Sequence, residues 1–441
     1  MNVMNNNAAA EEKQELLSKL NQCIIDKLPL TLEESAKEYG VLIRIREIKS
    51  ALDLIKMMLI YAVTDISQRL LAVFAGVLGI AKISDQAWQK KMSKSVPWLA
   101  HLLNETLPRT KLAAEEKAGF EDRHVKLVDG SCVKQVGADG EVIRIHMCYD
   151  LTLGCMDEVS VTDHHTAESF VPFSITPGSI YIADAGFGKG KNLEYVVSRQ
   201  ADALFRVTPN LLALASDANG AERIDMVKKL DTRKDVVDFT CYVHTVDGKY
   251  VSARLIASRL PEDKAAEAVK RKKRTAQKKQ NTLKKETLIY AEWVILMTTL
   301  GESYSAEDIL KLYRARWQIE LLFKRIKQFF KVTRLRAATV QHSKVLVLLW
   351  LIVWSLTERQ VVAAEIYLKA KQADMSRFSP WAMCGFFLHT FKAMLNLLWV
   401  FCIDIDVDLL DIYKRLRNHK ASRKNQYFEF CFDASSCSSF S

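Results

Sequence analysis

The chain has 441 residues, 49% hydrophobic and 26% charged, the ordinary values of a soluble globular protein with room for two or three domains. A net charge of +11 and a pI of about 9.0 favour a polyanionic partner, nucleic acid first and a membrane surface second. Nine scattered cysteines, with no C-x-x-C and no Cys/His cluster at zinc spacing, point to free thiols in a reducing compartment. Met1 to Glu15 lacks the layout of a signal peptide. The longest apolar run, Val345 to Leu356, is short of the roughly 20 residues of a membrane span and is expected to be a core helix.

Residues 1–115 are expected to form a helical N-terminal domain. Glu11 to Leu28 is amphipathic and stops at Pro29, and Thr31 heads a helix start at Leu32-Glu33-Glu34 as its cap. Ala51 to Gly79 is long and apolar. Ser67 to Leu78, Gly79, and Ser84 to Met92 resemble helix, turn, helix, with Ser84-Asp85 as cap. The second helix carries Gln86, Gln89, Lys90 and Lys91, which suits a DNA groove; a plain helical bundle fits nearly as well.

After Gly119 the pattern changes to short β-branched runs. Val125 to Gly130, Val142 to Tyr149 and Glu158 to Thr162 predict three antiparallel strands, with a hairpin turn at Ala138-Asp139-Gly140. Ser179 to Asp184, a helix from about Asn192 to Arg199, and Ala203 to Thr208 predict a strand–helix–strand crossover. That order is the order of a ribonuclease-H-like mixed α/β sheet. Asp129 and Asp184 both fall at the C-terminal ends of predicted strands, a place where an Asp before Gly is ordinarily a turn residue.

Residues 210–300 are expected to form a β-rich insertion within a domain spanning 120–340. Asp238 to Val243 and Tyr250 to Ala257 predict strands joined at Asp247-Gly248, and Tyr290 to Met297 is a strongly β-forming run containing Trp293. Between them Lys264 to Lys285 holds ten Lys/Arg against Glu267 alone, as a solvated helix or a disordered loop. Residues 341–441 are expected to be a C-terminal helical region, with helices over Val340 to Leu356 and Gln360 to Ala370 and a frayed Ser-rich end at Asp433 to Ser441. No Walker-type glycine loop is present, so no nucleotide cofactor is implied.

The stretch Tyr313 to Lys327 predicts one helix. Leu312, Ala315, Ile319, Phe323, Ile326 and Phe330 form its buried stripe, and Tyr313, Arg316, Glu320 and Lys327 form a polar stripe along its border. Ordinary i,i+4 charge pairs account for such a helix. The pattern Y-x2-R-x3-E-x6-K, however, resembles the motif of DDE transposases of bacterial insertion sequences, in the large family numbered four. Val128-Asp129-Gly130-Ser131 resembles that family's first motif, and Asp184-Ala185-Gly186-Phe187 followed by Ala203 to Val207 resembles its second. The resemblance runs from about Lys126 to Leu335.

The resemblance implies Asp129, Asp184 and Glu320 as catalytic, metal-binding carboxylates holding two Mg²⁺ ions, with Mn²⁺ as the substitute. Asp129 would bridge the ions. Tyr313, Arg316, Lys327 and Arg206 would grip DNA phosphates, and Lys270, Arg271, Lys272 and Lys273 would add general affinity. Trp293, in a β run where Trp is ordinarily core, would stack on a base flipped from the DNA end. The implied function is cut-and-paste transposition in the bacterial cytoplasm, at the nucleoid when DNA-bound. Its partners would be double-stranded DNA, as inverted-repeat ends and target, and a second copy of the chain as a homodimer in the synaptic complex. No membrane partner is expected. A ribonuclease-H-like nuclease or resolvase, and an inactive DNA-binding relative, are the alternatives.

Overall fold

Alternation of side chains along the central strands divides the interior into two cores. The computed structural model describes residues 27–44, 46–64, 66–107, 123–135, 141–230, 234–246, 248–330, 334–335, 339–373 and 379–402. The expected helix over Glu11 to Leu28 up to residue 26, the turn at 138–140, residue 247 and the end after 402 lie outside them.

Among the described residues five helices come first: α1 (Leu32–Glu38), α2 (Ala51–Thr64), α3 (Gln68–Val77), α4 (Asp85–Lys94) and α5 (Val96–Thr106). α1 begins where expected, but Thr31 makes no side-chain cap. Glu33 instead caps a different helix, its carboxylate accepting from the N–H of Ala51 at 2.8 Å. Ser67 and Ser84 do cap α3 and α4, through Leu70 and Ala87 N–H. Gly79, at φ +68°, makes the turn between them.

The strands follow: β1 (Val125–Gln135), β2 (Glu141–Asp150), β3 (Cys155–Asp163), β4 (Ile180–Ala183), then α6 (Gly190–Val197) and β5 (Asp202–Arg206). β1, β2 and β3 are antiparallel neighbours, while β4 lies parallel to β1 and β5 parallel to β4. This is the expected ribonuclease-H-like order 3-2-1-4-5. The next segment contributes β6 (Leu214–Ala215), α7 (Met226–Lys229), β7 (Val236–His244), β8 (Tyr250–Arg259), α8 (Glu262–Lys278), α9 (Lys285–Ala291) and β9 (Trp293–Thr298). Its strands continue the same sheet past β5 in the order 9-8-7-6, with β9 antiparallel to both β5 and β8. The basic run is thus largely one 17-residue helix, α8. The run from Tyr290 is only partly strand: Ile289 and Tyr290 lie in α9, where both pack on the core, so tertiary packing overrides their β preference.

α10 (Ala306–Arg314), α11 (Trp317–Phe330), β10 (Arg334–Leu335), α12 (Val340–Ala370) and α13 (Pro380–Cys402) complete the described chain. α12 is a single 31-residue helix where two were expected. By length and composition it could cross a membrane, but most of its apolar stretch is buried inside the fold. It is bolted to the first helices: the Trp350 indole donates to Ala62 O at 2.8 Å, Ser355 Oγ to Thr106 O at 2.6 Å, and His342 meets Tyr61 Oη at 2.7 Å.

Leu127, Ile180, Ile182, Leu204, Ile256 and Leu296 face the core shared with α2–α5, α11, α12 and α13. Their strand neighbours Val128, Tyr181, Ala183, Ala203, Phe205, Leu255 and Ile295 face a second core under α6 and the loop carrying Phe170 and Phe173.

Candidate active site

The paired register of β1 and β4 ends at Val128↔Ala183, so Asp129 and Asp184 are the next residue of each chain. Both continue the parity of Leu127 and Ile182 and so fall on the face covered by α11. Asp129 is not at a strand end as expected: β1 runs on to Gln135, still paired with β2, because its partner β4 stops first. Each aspartate is oriented by the backbone after it. Asp129 Oδ1 accepts from Gly130 N–H at 2.8 Å, and Asp184 Oδ1 from Gly186 N–H at 2.8 Å.

Glu320 stands in the first turn of α11, the helix that covers that face. The expected single helix is two, α10 and α11, broken at Ala315-Arg316. No proline or glycine marks the break; Arg316, Gln318 and Ile319 N–H each bond three residues back, and these tight turns redirect the chain. Leu312, Ile319, Phe323 and Ile326 are buried as expected, joined by Leu322, while Ala315 is only partly covered and the Phe330 side chain lies outside the described part of the chain. Lys327, in the last turn of α11, donates to Cys132 O of β1 at 3.4 Å.

Arg316 stands between the carboxylates. Its Nη2 pairs with Glu320 Oε1, and its charge reaches Asp129 and lies over the Tyr313 ring at 5.7 Å. The Tyr313 hydroxyl and Arg316 Nε are buried with no hydrogen-bond partner among the described residues. Burial pushes the Tyr313 hydroxyl above its ordinary range.

Burial, with Asp184 and Glu168 nearby, pushes the Asp129 carboxyl up to about 7, against the pull of the Gly130 N–H and of Arg316. A desolvated carboxylate facing two others is short of positive charge, and its donors are all hard oxygens. These residues therefore fit a hard divalent cation at Asp129 and Asp184. Among the described residues, however, no three His, Cys, Asp or Glu side chains stand together as an ion-binding group. Glu320 pairs with Arg316 instead, with 45% of its side chain exposed.

Beside the aspartates opens a cavity of about 260 Å³, bounded by Asp184, Arg206, Arg271, Lys272, Trp293, Tyr313 and Arg316. Trp293 is only 2% exposed and belongs mainly to the second core, so it is a wall of this cavity rather than a projecting ring. Tyr290, which the sequence pattern did not single out, lines the same cavity from α9 and is only partly buried. A larger groove of about 720 Å³ runs along α8, lined by Arg206, Lys264, Lys270, Arg271, Arg274 and Lys278. Lys273 lines neither space. Glu168 is the other residue that spacing did not find; it comes from a loop with no periodic pattern.

A family model described as "Transposase DDE domain" matches residues 122–356. InsL, the transposase named for insertion sequence element IS186A of Escherichia coli K12, is 31% identical over 323 residues, covering 72% of this chain and 86% of that protein. The transposase for insertion sequence element IS421 of Escherichia coli is 31% identical over 324 residues, with the same coverage.

Proposed function

The chain belongs to the DDE transposases of insertion sequences, and from that premise we propose how its residues divide the work. It is a DNA-cleaving polynucleotidyl transferase of DNA transposition with a ribonuclease-H-like core. The observation that carries the residue assignment is the shared face: Asp129 and Asp184 stand side by side past the last β1–β4 pair, under the helix that bears Glu320.

Asp129 and Asp184 would hold the divalent cation, Mg²⁺ or Mn²⁺, with Glu320 as the third carboxylate once free of Arg316. Bound there, two such ions supply Lewis acidity toward the attacking and leaving oxygens of a phosphodiester. Arg316, released from Glu320, turns its guanidinium to the scissile phosphate. The unpartnered Tyr313 hydroxyl donates to a phosphate oxygen, and Arg206 and Lys327 neutralise its neighbours. Water first frees a 3′-OH at the element's end, and that 3′-OH then attacks target DNA. The α8 groove follows the duplex by charge, while Gln86 and Lys90 of α4 read the element's end. The cavity between Trp293, Tyr290 and Tyr313 receives an unstacked base where the strand bends. Two copies act on paired ends.

The test uses DNA flanking the gene, end-labelled and incubated with the protein and Mg²⁺, resolved on a denaturing gel. Cleavage at the border of matched inverted repeats is expected. Repeats that are bound but never cut, with Mn²⁺ as with Mg²⁺, would sink the catalytic assignment.

A further inference from the structure

One side chain occupies the space left beside both aspartates. A Cβ on Gly130 would stand 3.5 Å from Glu168 Cγ. A Cβ on Gly186 would stand 1.7 Å from Glu168 Oε2 and 3.1 Å from Asp184 Oδ1. Glu168 and Asp184 thus face each other across Gly186, and only glycine there leaves the Glu168 carboxylate its place.

The approach is fixed from behind. Phe170, two residues on, is fully buried, with its ring 5.3 Å from those of Phe187 and Phe205 and 5.8 Å from that of Tyr181. These rings belong to β4, to β5 and to the turn after Asp184, so the loop holding Glu168 is anchored to the strands that position Asp184. Glu168 therefore comes from the sheet face opposite α11.

Ion pairing alone does not account for this placement. Arg144 Nη1 is 3.7 Å away, well beyond the roughly 2.7–2.9 Å of a formed guanidinium–carboxylate bond, and Arg144 Nε is engaged by Cys132 Sγ at 3.3 Å. Lys189 is the other cation within electrostatic reach. Arg144 has other engagements as well, and Glu168 Oε2 stands where a Cβ on Gly186 would be, on the side of Asp184.

We propose that Glu168 is a fourth carboxylate of the site, giving an oxygen to the divalent cation held at Asp184, from the face opposite Glu320. The proposal rests on the assignment of Asp129 and Asp184 as cation ligands. It lets the first cation draw its ligands from the sheet side while Glu320 is still paired with Arg316, the three carboxylates closing together only around the ion.

The experiment titrates Mn²⁺ alone into the full-length protein and counts free ion by electron paramagnetic resonance. Asp184→Asn is expected to abolish the tight site, and Glu168→Gln to weaken it about 10-fold or more, the scale of losing a supporting metal-site group. Loss in Asp184→Asn with wild-type affinity in Glu168→Gln overturns the role of Glu168 alone. Wild-type affinity in Asp184→Asn overturns the aspartate assignment and this proposal with it. If Glu168→Gln does not melt cooperatively, the wild-type protein loaded with Fe²⁺ and treated with peroxide decides. Backbone cuts beside Glu168 as well as beside Asp129 and Asp184 support the proposal, and cuts at the aspartates without any near Glu168 overturn it.

Discussion

Asp129 sits on β1 and Asp184 just past the end of β4, two central strands, β1 between β2 and β4, and β4 between β1 and β5. Glu320 sits one turn into a helix that follows an abrupt break, half-exposed and paired only with Arg316 on its own segment. A sheet register cannot shift by a fraction of a residue, whereas a helix end can re-aim a long side chain cheaply. On the assignment proposed above, the difference teaches that the two sheet carboxylates are placed by register in the free protein, and that the helix half would be assembled when cation and DNA arrive.

The sharpest break of that comparison is by substitution. Asp129→Asn, Asp184→Asn and Glu320→Gln are each expected to lower strand cleavage by about 10³-fold or more, since each removes charge stabilisation of several kcal/mol from the transition state. They should differ in cation binding: the aspartate variants lose Mn²⁺, while Glu320→Gln retains one ion. Equal loss of Mn²⁺ in all three would show that the helix half is already in place.

A second prediction uses pH. Folded Asp129 keeps its proton to about 7, against 3.8 ordinarily. The folded state therefore binds the extra proton between those values, and stability of the cation-free protein falls as pH rises through about 7. Glu358, half-buried on α12, is likewise pushed up to about 7 by burial, so wild type alone cannot isolate Asp129. The readout is the difference from Asp129→Asn, which should grow in the variant's favour from about pH 5 to about pH 8, by on the order of a few kcal/mol. Thermal melts without added metal measure it; a difference flat with pH would mean that Asp129 is ionised and solvated in the free protein.

Charge on α8 is expected to act more weakly and on any DNA. Replacing Lys270, Arg271, Lys272 and Lys273 with Gln should reduce the slope of log K against log salt by about 0.9 for each DNA phosphate left without its cation. Lys273, which lines no cavity, should contribute least when replaced singly. Salt titrations by fluorescence anisotropy would show it, and an unchanged slope would remove α8 from the DNA path.

The smallest effect is on the helix side. Glu320→Gln should shift stability by only about 0.5 kcal/mol, the scale of an exposed i,i+4 pair. A drop of several kcal/mol in a denaturant melt would mean that Arg316 and Glu320 form a fixed structural bridge.

The core of the fold was legible because its signals are local. The continuous β-forming run Ile180 to Ala183, the Ser67 and Ser84 caps and the turn at Gly79 each act over a few residues. The Asp/Asp/Glu set was legible as a motif. The break at Ala315-Arg316 was not, because spacings of three and four are shared by one helix and by two joined through tight turns. That β9 pairs with β5 was not legible either, since a strand pattern says which face is buried but not which neighbour it meets. Trp293 is core by its β-forming run and, at 2% exposed, also a wall of the cavity, a double placement that a strand pattern does not show. Glu168 carried no signal of its own; its meaning comes from Gly130 and Gly186, and a missing Cβ announces space without saying what fills it.

The ladder that joins β5 to β9 has a mechanical consequence. Leu204 pairs with Thr298 and Arg206 with Leu296, and β9 then carries β8, from which α8 departs. The basic groove and the two aspartates therefore ride on one stiff plate and cannot slide past each other as hinged lobes do. A duplex gripped along α8 is held at a fixed offset from Asp184, as if by a ruler. Between the first cut and the strand transfer, the scissile bond can be re-presented only by bending the DNA itself or by moving α10 and α11 over the plate.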